Sequence, residues 1–124
     1  MDAHAVRGAR GSRHRTGGGR RRGADYQQRL HELLPIADRL GVPVLAGTDT
    51  AGTIAREVAL LAEHGLNPAA ALAAATTTGY RFLGEPFDRP GQPTTLVTYH
   101  NDPREDLATL STPIAIIIDG VRVR

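Results

Sequence analysis

The sequence predicts an α/β fold, and three observations carry that expectation. An amphipathic stretch over Tyr26–Leu40 is followed at once by the short apolar run Val42–Ala46. Two further helical stretches come next, and the chain closes on alternating, β-branched residues with a two-residue hairpin signal.

In the first helical stretch Tyr26, Leu30, Leu33, Leu34, Ala37 and Leu40 recur at three- and four-residue steps, which gathers them on one face. Gly41 lies just past its end and Pro43 follows, a combination that stops a helix. Val42–Ala46 then has the length and apolarity of a buried strand, with Pro43 tolerated near its start. Residues 47–52 form the loop that leaves this strand. A second helix is expected over Thr53–His64, with Ile54, Val58, Leu61 and Ala62 inward and Gly65 closing it. Asn67 caps a third helix whose first turn holds Pro68. The Ala-rich residues 69–79 continue it towards Leu83 with a break near Gly79, and small residues such as Ala71 and Ala74 allow close approach to neighbours. Prolines and glycines mark 84–93 as a linker. Thr94–Tyr99 alternates as a strand does, and Asn101-Asp102-Pro103 turns into a short helical stretch ending near Leu110. Pro113–Ile118 is β-branched, and Asp119-Gly120 leads it back as a hairpin into Val121–Val123.

At 124 residues the chain forms one domain at most, far short of the ~250 residues of a complete (β/α)8 barrel. It has no cysteine, which excludes disulfides and thiolate metal sites and accords with a cytoplasmic setting. No apolar run nears the ~18 residues of a membrane span, and the first 24 residues lack the apolar core of a signal peptide. The formal charge of +2 conceals an asymmetry. Residues 1–24 hold seven Arg against one Asp, whereas 25–124 hold eight Arg against twelve acids. The first 24 residues are rich in Gly and almost free of apolar periodicity, so a disordered Arg/Gly-rich tail is expected there. Such an arm attracts phosphates, but no Tyr, Phe or Trp is interleaved to stack on bases. Nucleic-acid binding is therefore the lesser reading beside a solvated tail.

Chemistry concentrates in Gly47-Thr48-Asp49, the loop between the apolar run and the second helix. In α/β folds, catalytic groups project from loops at the C-terminal ends of strands. A carboxylate there can ligate a divalent metal or take a proton from metal-bound water. An Asp after a strand is also a common turn or helix-capping residue, and the spacing alone does not separate the two roles.

Longer motifs bear on that choice. Gly41-Val42-Pro43-Val44-Leu45-Ala46-Gly47-Thr48-Asp49 with Glu57 beyond it, then Ala62-Glu63-His64-Gly65-Leu66-Asn67-Pro68 leading into the Ala-rich helix, resemble the C-terminal part of the metal-dependent amidohydrolase superfamily. Asn101-Asp102-Pro103-Arg104-Glu105-Asp106-Leu107 and the closing Ile118-Asp119-Gly120-Val121-Arg122-Val123 match the same pattern. The likeness runs in order over about residues 36–124 and is strongest to the imidazolonepropionase-like, dipeptidase-like branch. It implies the last strand and following helices of a (β/α)8 barrel over 25–84, and the C-terminal strands of a small β-sandwich over 85–124. It implies that Asp49 is both metal ligand and proton acceptor, with Gly47 and Thr48 shaping its loop and Gly65 and Pro68 structural. The implied cofactor of the complete enzyme is a divalent metal, zinc or iron, and the implied substrate is a small-molecule amide whose C–N bond is hydrolysed.

Two departures limit what this chain does by itself. The resemblance calls for Ala-Asp where Thr94-Thr95 stands. The His-X-His of the family's first strand and its carboxylated Lys have no counterpart, since the chain contains no Lys. His31 and His64 fall in expected helices, His100 follows a strand and His14 sits in the tail, so structural or solvated roles are expected for each. His4, in Ala3-His4-Ala5, is faintly similar to a ligand motif of the family's fifth strand. A single carboxylate does not hold a catalytic zinc, which takes three protein ligands. The sequence thus points to a piece inactive by itself, completed by a missing barrel half or across a homo-oligomer. A non-catalytic binding module with an Arg-rich arm is the alternative.

Overall fold

A computed structural model describes residues 17–49, 51–87 and 90–124, with side chains from residue 23 onward. Four helices come first: α1 Gly17–Arg39, α2 Ile54–Glu63, α3 Pro68–Ala74 and α4 Thr77–Leu83. Three strands follow, β1 Leu96–Thr98, β2 Ala115–Ile118 and β3 Val121–Arg122, with a single 3-10 stretch, Leu107–Ser111, between β1 and β2.

The helix ends follow from local chemistry. At the end of α1 the Gly41 N–H bonds to the Asp38 carbonyl and the Val42 N–H to the Ala37 carbonyl, the paired bonds of a Schellman motif. At the end of α2 the Gly65 and Leu66 N–H groups bond to Ala62 and Leu61 in the same way. Gly65 holds φ 101°, a conformation open to glycine but strained for a side chain. The Thr53 hydroxyl accepts the Arg56 N–H and caps α2, and the Asn67 carboxamide accepts the Ala70 N–H at 2.9 Å and caps α3. The Ala-rich helix breaks at Ala75–Thr76, three residues before the expected Gly79. There the Thr76 hydroxyl turns back to the Leu72 carbonyl at 2.9 Å. α1 begins at Gly17 and takes in the last eight residues of the expected Arg/Gly-rich tail. The expectation of disorder over 1–16 lies outside the described residues, as do His4 and His14.

β2 is central in an open antiparallel sheet of order β1-β2-β3. Leu96, Val97 and Thr98 face Ile117, Ile116 and Ala115, and Ile118 faces Val121 across the hairpin. Asp119 and Gly120 hold φ 49° and 79°, the positive values of a type I′ turn. The Thr95 hydroxyl accepts the Asp119 N–H at 3.1 Å and the Thr94 carbonyl accepts the Gly120 N–H at 2.8 Å. Thr94-Thr95 therefore tethers this turn without a carboxylate.

The core is small and sits where α2, α3 and the 3-10 stretch meet. Val58, Leu66 and Ala71 are buried there, with Leu34, Val44, Leu61, Leu107 and Leu110 partly buried around them.

The expected barrel fragment is not what the chain forms. Val42–Thr48 is extended but belongs to no sheet among the described residues. A strand exists only through its ladder, and the backbone bonds of this run go from Val42 to the end of α1, from the Ala46 N–H to the Ala74 carbonyl at 3.0 Å, and from the Ala51 N–H to the Thr48 carbonyl in a turn. Val42 and Leu45, expected inside, are 53% and 45% exposed. The sheet that does form is antiparallel, open and drawn wholly from residues 96–122, whereas a (β/α)8 barrel is parallel and closed. Its three strands also make one layer and not a β-sandwich. Helices first and an antiparallel sheet after them make this a small α+β arrangement, which corrects the expected α/β class.

Candidate functional site

Gly47, Thr48 and Asp49 end the extended run. Along it Val44, Ala46 and Thr48 are half-buried while Pro43, Leu45, Gly47 and Asp49 are exposed, the alternation that extended backbone imposes. The run is moored at its start by the Schellman bond of Val42 and further along by Ala46, on the last turn of α3. Beyond it the Ala51 N–H bonds to the Thr48 carbonyl at 3.1 Å, so the chain turns sharply through Asp49. Asp49 itself holds φ 50°, which Asp tolerates better than most residues but which costs strain. Its carboxylate is exposed and has no ion-pair partner among the described residues.

A second carboxylate reaches this loop. Glu57, half-buried in α2, carries its Oε1 to 3.8 Å from the point where a side chain on Gly52 would begin. Glu57 also lines a groove with Tyr26, Leu30, Val44, Leu45 and His64, between α1, the extended run and α2. Glu57 lies eight residues beyond Asp49, where the sequence motif assigns it no role. The signal lay in the spacing, since the residue falls early in the helix that follows the loop.

Of the histidines only His64 reaches this groove among the described residues. His31 on α1 and His64 at the end of α2 pack edge to face with ring centroids 6.5 Å apart. The His64 Nδ1 donates to the Leu60 carbonyl at 2.7 Å. His100 is exposed after β1. Among the described residues no three His, Asp or Glu side chains converge as metal ligands. Asp49 and its neighbours therefore do not by themselves fit a catalytic zinc or iron, which would need further ligands from elsewhere.

Gly65 and Pro68 have structural places. The Pro35 ring of α1 approaches Gly65 so closely that a Cβ there would stand 2.7 Å from Pro35 Cγ, and Pro68 occupies the first turn of α3. Asp102, outside the site, binds the Arg104 guanidinium and also accepts the Arg104 backbone N–H at 2.9 Å. These bonds hold its carboxyl down at about 2. Burial pushes the Tyr99 hydroxyl up.

No protein-family model and no solved structure matches the chain. It is similar to uncharacterized proteins of Mycobacterium bovis and Mycobacterium tuberculosis, each 36% identical over 101 residues. The likeness covers 77% of this chain but only 27% of each relative, so the chain spans about a quarter of their length. A stretch of that extent necessarily contains the middle of the chain, and with it residues 42–49. Among the described residues no helix is long and apolar enough to cross a membrane.

Proposed function

We propose that this chain contributes one carboxylate, Asp49, to a cytoplasmic hydrolase related to the metal-dependent amidohydrolases, which cleaves C–N bonds in non-peptide or dipeptide-like amides. The remaining metal ligands would come from polypeptide outside the described residues. The observation that carries the reading is the setting of Asp49. It is an exposed acid on a strained left-handed turn, just past an extended run that is moored to α1 through Val42 and to α3 through Ala46. Strain of this kind persists where the surrounding structure fixes it, and it gathers at functional sites. The motifs over residues 36–124 supply the chemistry, in which a carboxylate takes a proton from water activated by zinc or iron. Among the described residues no further ligands join Asp49, and on this reading the chain is inactive by itself.

A chimera tests this. The aligned stretch of a full-length M. tuberculosis relative is replaced by this chain's residues, and metal content is measured beside hydrolysis of cyclic and dipeptide-like amides. About one or two metals per chimera are expected, and Asp49→Asn should cut kcat by about 10²–10⁴ while leaving the fold intact. A metal-free chimera, or one whose hydrolysis is untouched by Asp49→Asn, overturns the reading.

A further inference from the structure

We infer that the cleft between the end of α4 and the β2–β3 hairpin binds a small organic ammonium ion. Its charge meets the Glu85 and Asp119 carboxylates, and its alkyl groups rest on the Tyr80 and Phe87 rings. This cleft stands apart from the proposed hydrolysis, since neither Asp49 nor Glu57 lines it.

Backbone geometry fixes both walls. Gly84, at φ 72°, ends α4, with its N–H bonded to the Arg81 carbonyl and the Glu85 N–H to the Tyr80 carbonyl. The chain folds back through this turn, and Phe87 meets Tyr80 with ring centroids 6.2 Å apart and planes at 45°. Neither ring is sealed, Tyr80 being 41% exposed and Phe87 57%. The opposite wall is the Asp119-Gly120 turn, whose two N–H groups bond to Thr95 and Thr94. Between the walls lies a cleft of about 380 Å³, lined also by Gln92 and Thr95, a volume in the range of small-ligand sites.

The lining selects a cation with apolar flanks. Glu85 and Asp119 bring two negative charges, and no Arg or His lines the cleft among the described residues. The ion pairs formed among those residues lie elsewhere, joining Arg56 to Glu63 and Arg104 to Asp102. An anion would be repelled, and a neutral apolar ligand would bury the carboxylates without meeting their charge. A divalent metal needs more ligands than two carboxylates, and no third converges with them among the described residues. Exposed ring faces instead draw a weakly hydrated organic cation, which the rings and the acids attract together.

The test titrates the full chain with tetramethylammonium chloride in exchange for sodium chloride at constant ionic strength, followed by amide NMR. Saturable shifts are expected at Tyr80, Glu85–Phe87, Thr94–Thr95 and Asp119–Gly120, with a Kd of about 1–10 mM. Glu85→Gln and Asp119→Asn should each weaken binding about three- to fivefold. Asn takes the same positive φ, so Asp119→Asn keeps the hairpin while removing the charge. Phe87→Leu, which keeps an apolar side chain but removes the ring, should weaken it about two- to fivefold. The neutral tert-butanol, close in size to the probe, should bind at least about tenfold more weakly. An absence of saturable shifts at these residues on the wild-type chain overturns the inference whether or not a variant folds. So does tert-butanol binding as tightly as the cation, because the cleft would then be an apolar groove only. A Kd unchanged in both Glu85→Gln and Asp119→Asn overturns it as well.

Discussion

At Gly65 a single missing methyl decides where the first helix lies. Pro35 Cγ would stand 2.7 Å from a Cβ at this position, and the His31 carbonyl only 3.6 Å from it. Gly65→Ala therefore meets two penalties, a φ of 101° that side chains resist and a clash with a proline ring that cannot rotate away. We expect a loss of about 2–3 kcal/mol by urea unfolding, with faster amide exchange along α1 as it parts from α2. An unchanged midpoint would mean that α1 is not seated there in solution. Asp102 gives a second prediction at this scale, in pH. Its hydrogen bonds from the Arg104 side chain and backbone hold its carboxyl at about 2, below the ordinary 3.8. A depressed carboxyl stabilises the fold above its unfolded value and loses that contribution as pH falls from about 4 through 2. A carboxyl NMR titration should therefore place Asp102 near 2, and Arg104→Ala should move it back up. A midpoint that stays low in Arg104→Ala would show that the arginine side chain is not the cause.

The elements record how much of the fold was legible in the sequence and where legibility ended. Caps and turns were readable because their signals are local. Asn67-Pro68, Gly65 and Asp119-Gly120 each dictate backbone geometry within four residues, and each does so here. Val42–Ala46 shows the opposite case. An apolar run of strand length says that backbone can extend, but a ladder needs a neighbour, and that neighbour is not encoded within the run. The same distinction divides the site. The turn through Asp49 was visible in Gly47-Thr48-Asp49, whereas the approach of Glu57 depended on how α2 leaves the loop. Local encoding also makes a cap testable. Asn67→Ala removes the acceptor of the Ala70 N–H, and because α3 has only seven residues no other turn shares the loss. A cost of about 1 kcal/mol is expected, with Asn67→Asp close to wild type. Equal destabilisation by both would assign Asn67 some role other than capping.

For the molecule as a whole, the question is what joins the helical part to the sheet. Leu107 and Leu110, in the 3-10 stretch between β1 and β2, pack on the same cluster as Val58, Leu66 and Ala71. Val58, at 1% exposure, is the largest fully buried side chain among the described residues and lies on the element that touches both α3 and the 3-10 stretch. Few other buried side chains share the load, so the two parts should lose protection together when Val58 is truncated. Val58→Ala removes two methyl-sized groups from a closed position, at a cost of about 2 kcal/mol. Against a total stability that is small for a core of this size, that fraction should blur the cooperative transition. Hydrogen exchange should then rise both in α2–α3 and in β1–β2. Val97→Thr is the control: at 43% exposure on an outer strand, it should change stability by no more than about 0.5 kcal/mol. If Val58→Ala loosens the helices and leaves β1–β2 protected, the sheet is an independent unit. The 3-10 stretch would then be a linker between two separately folding parts.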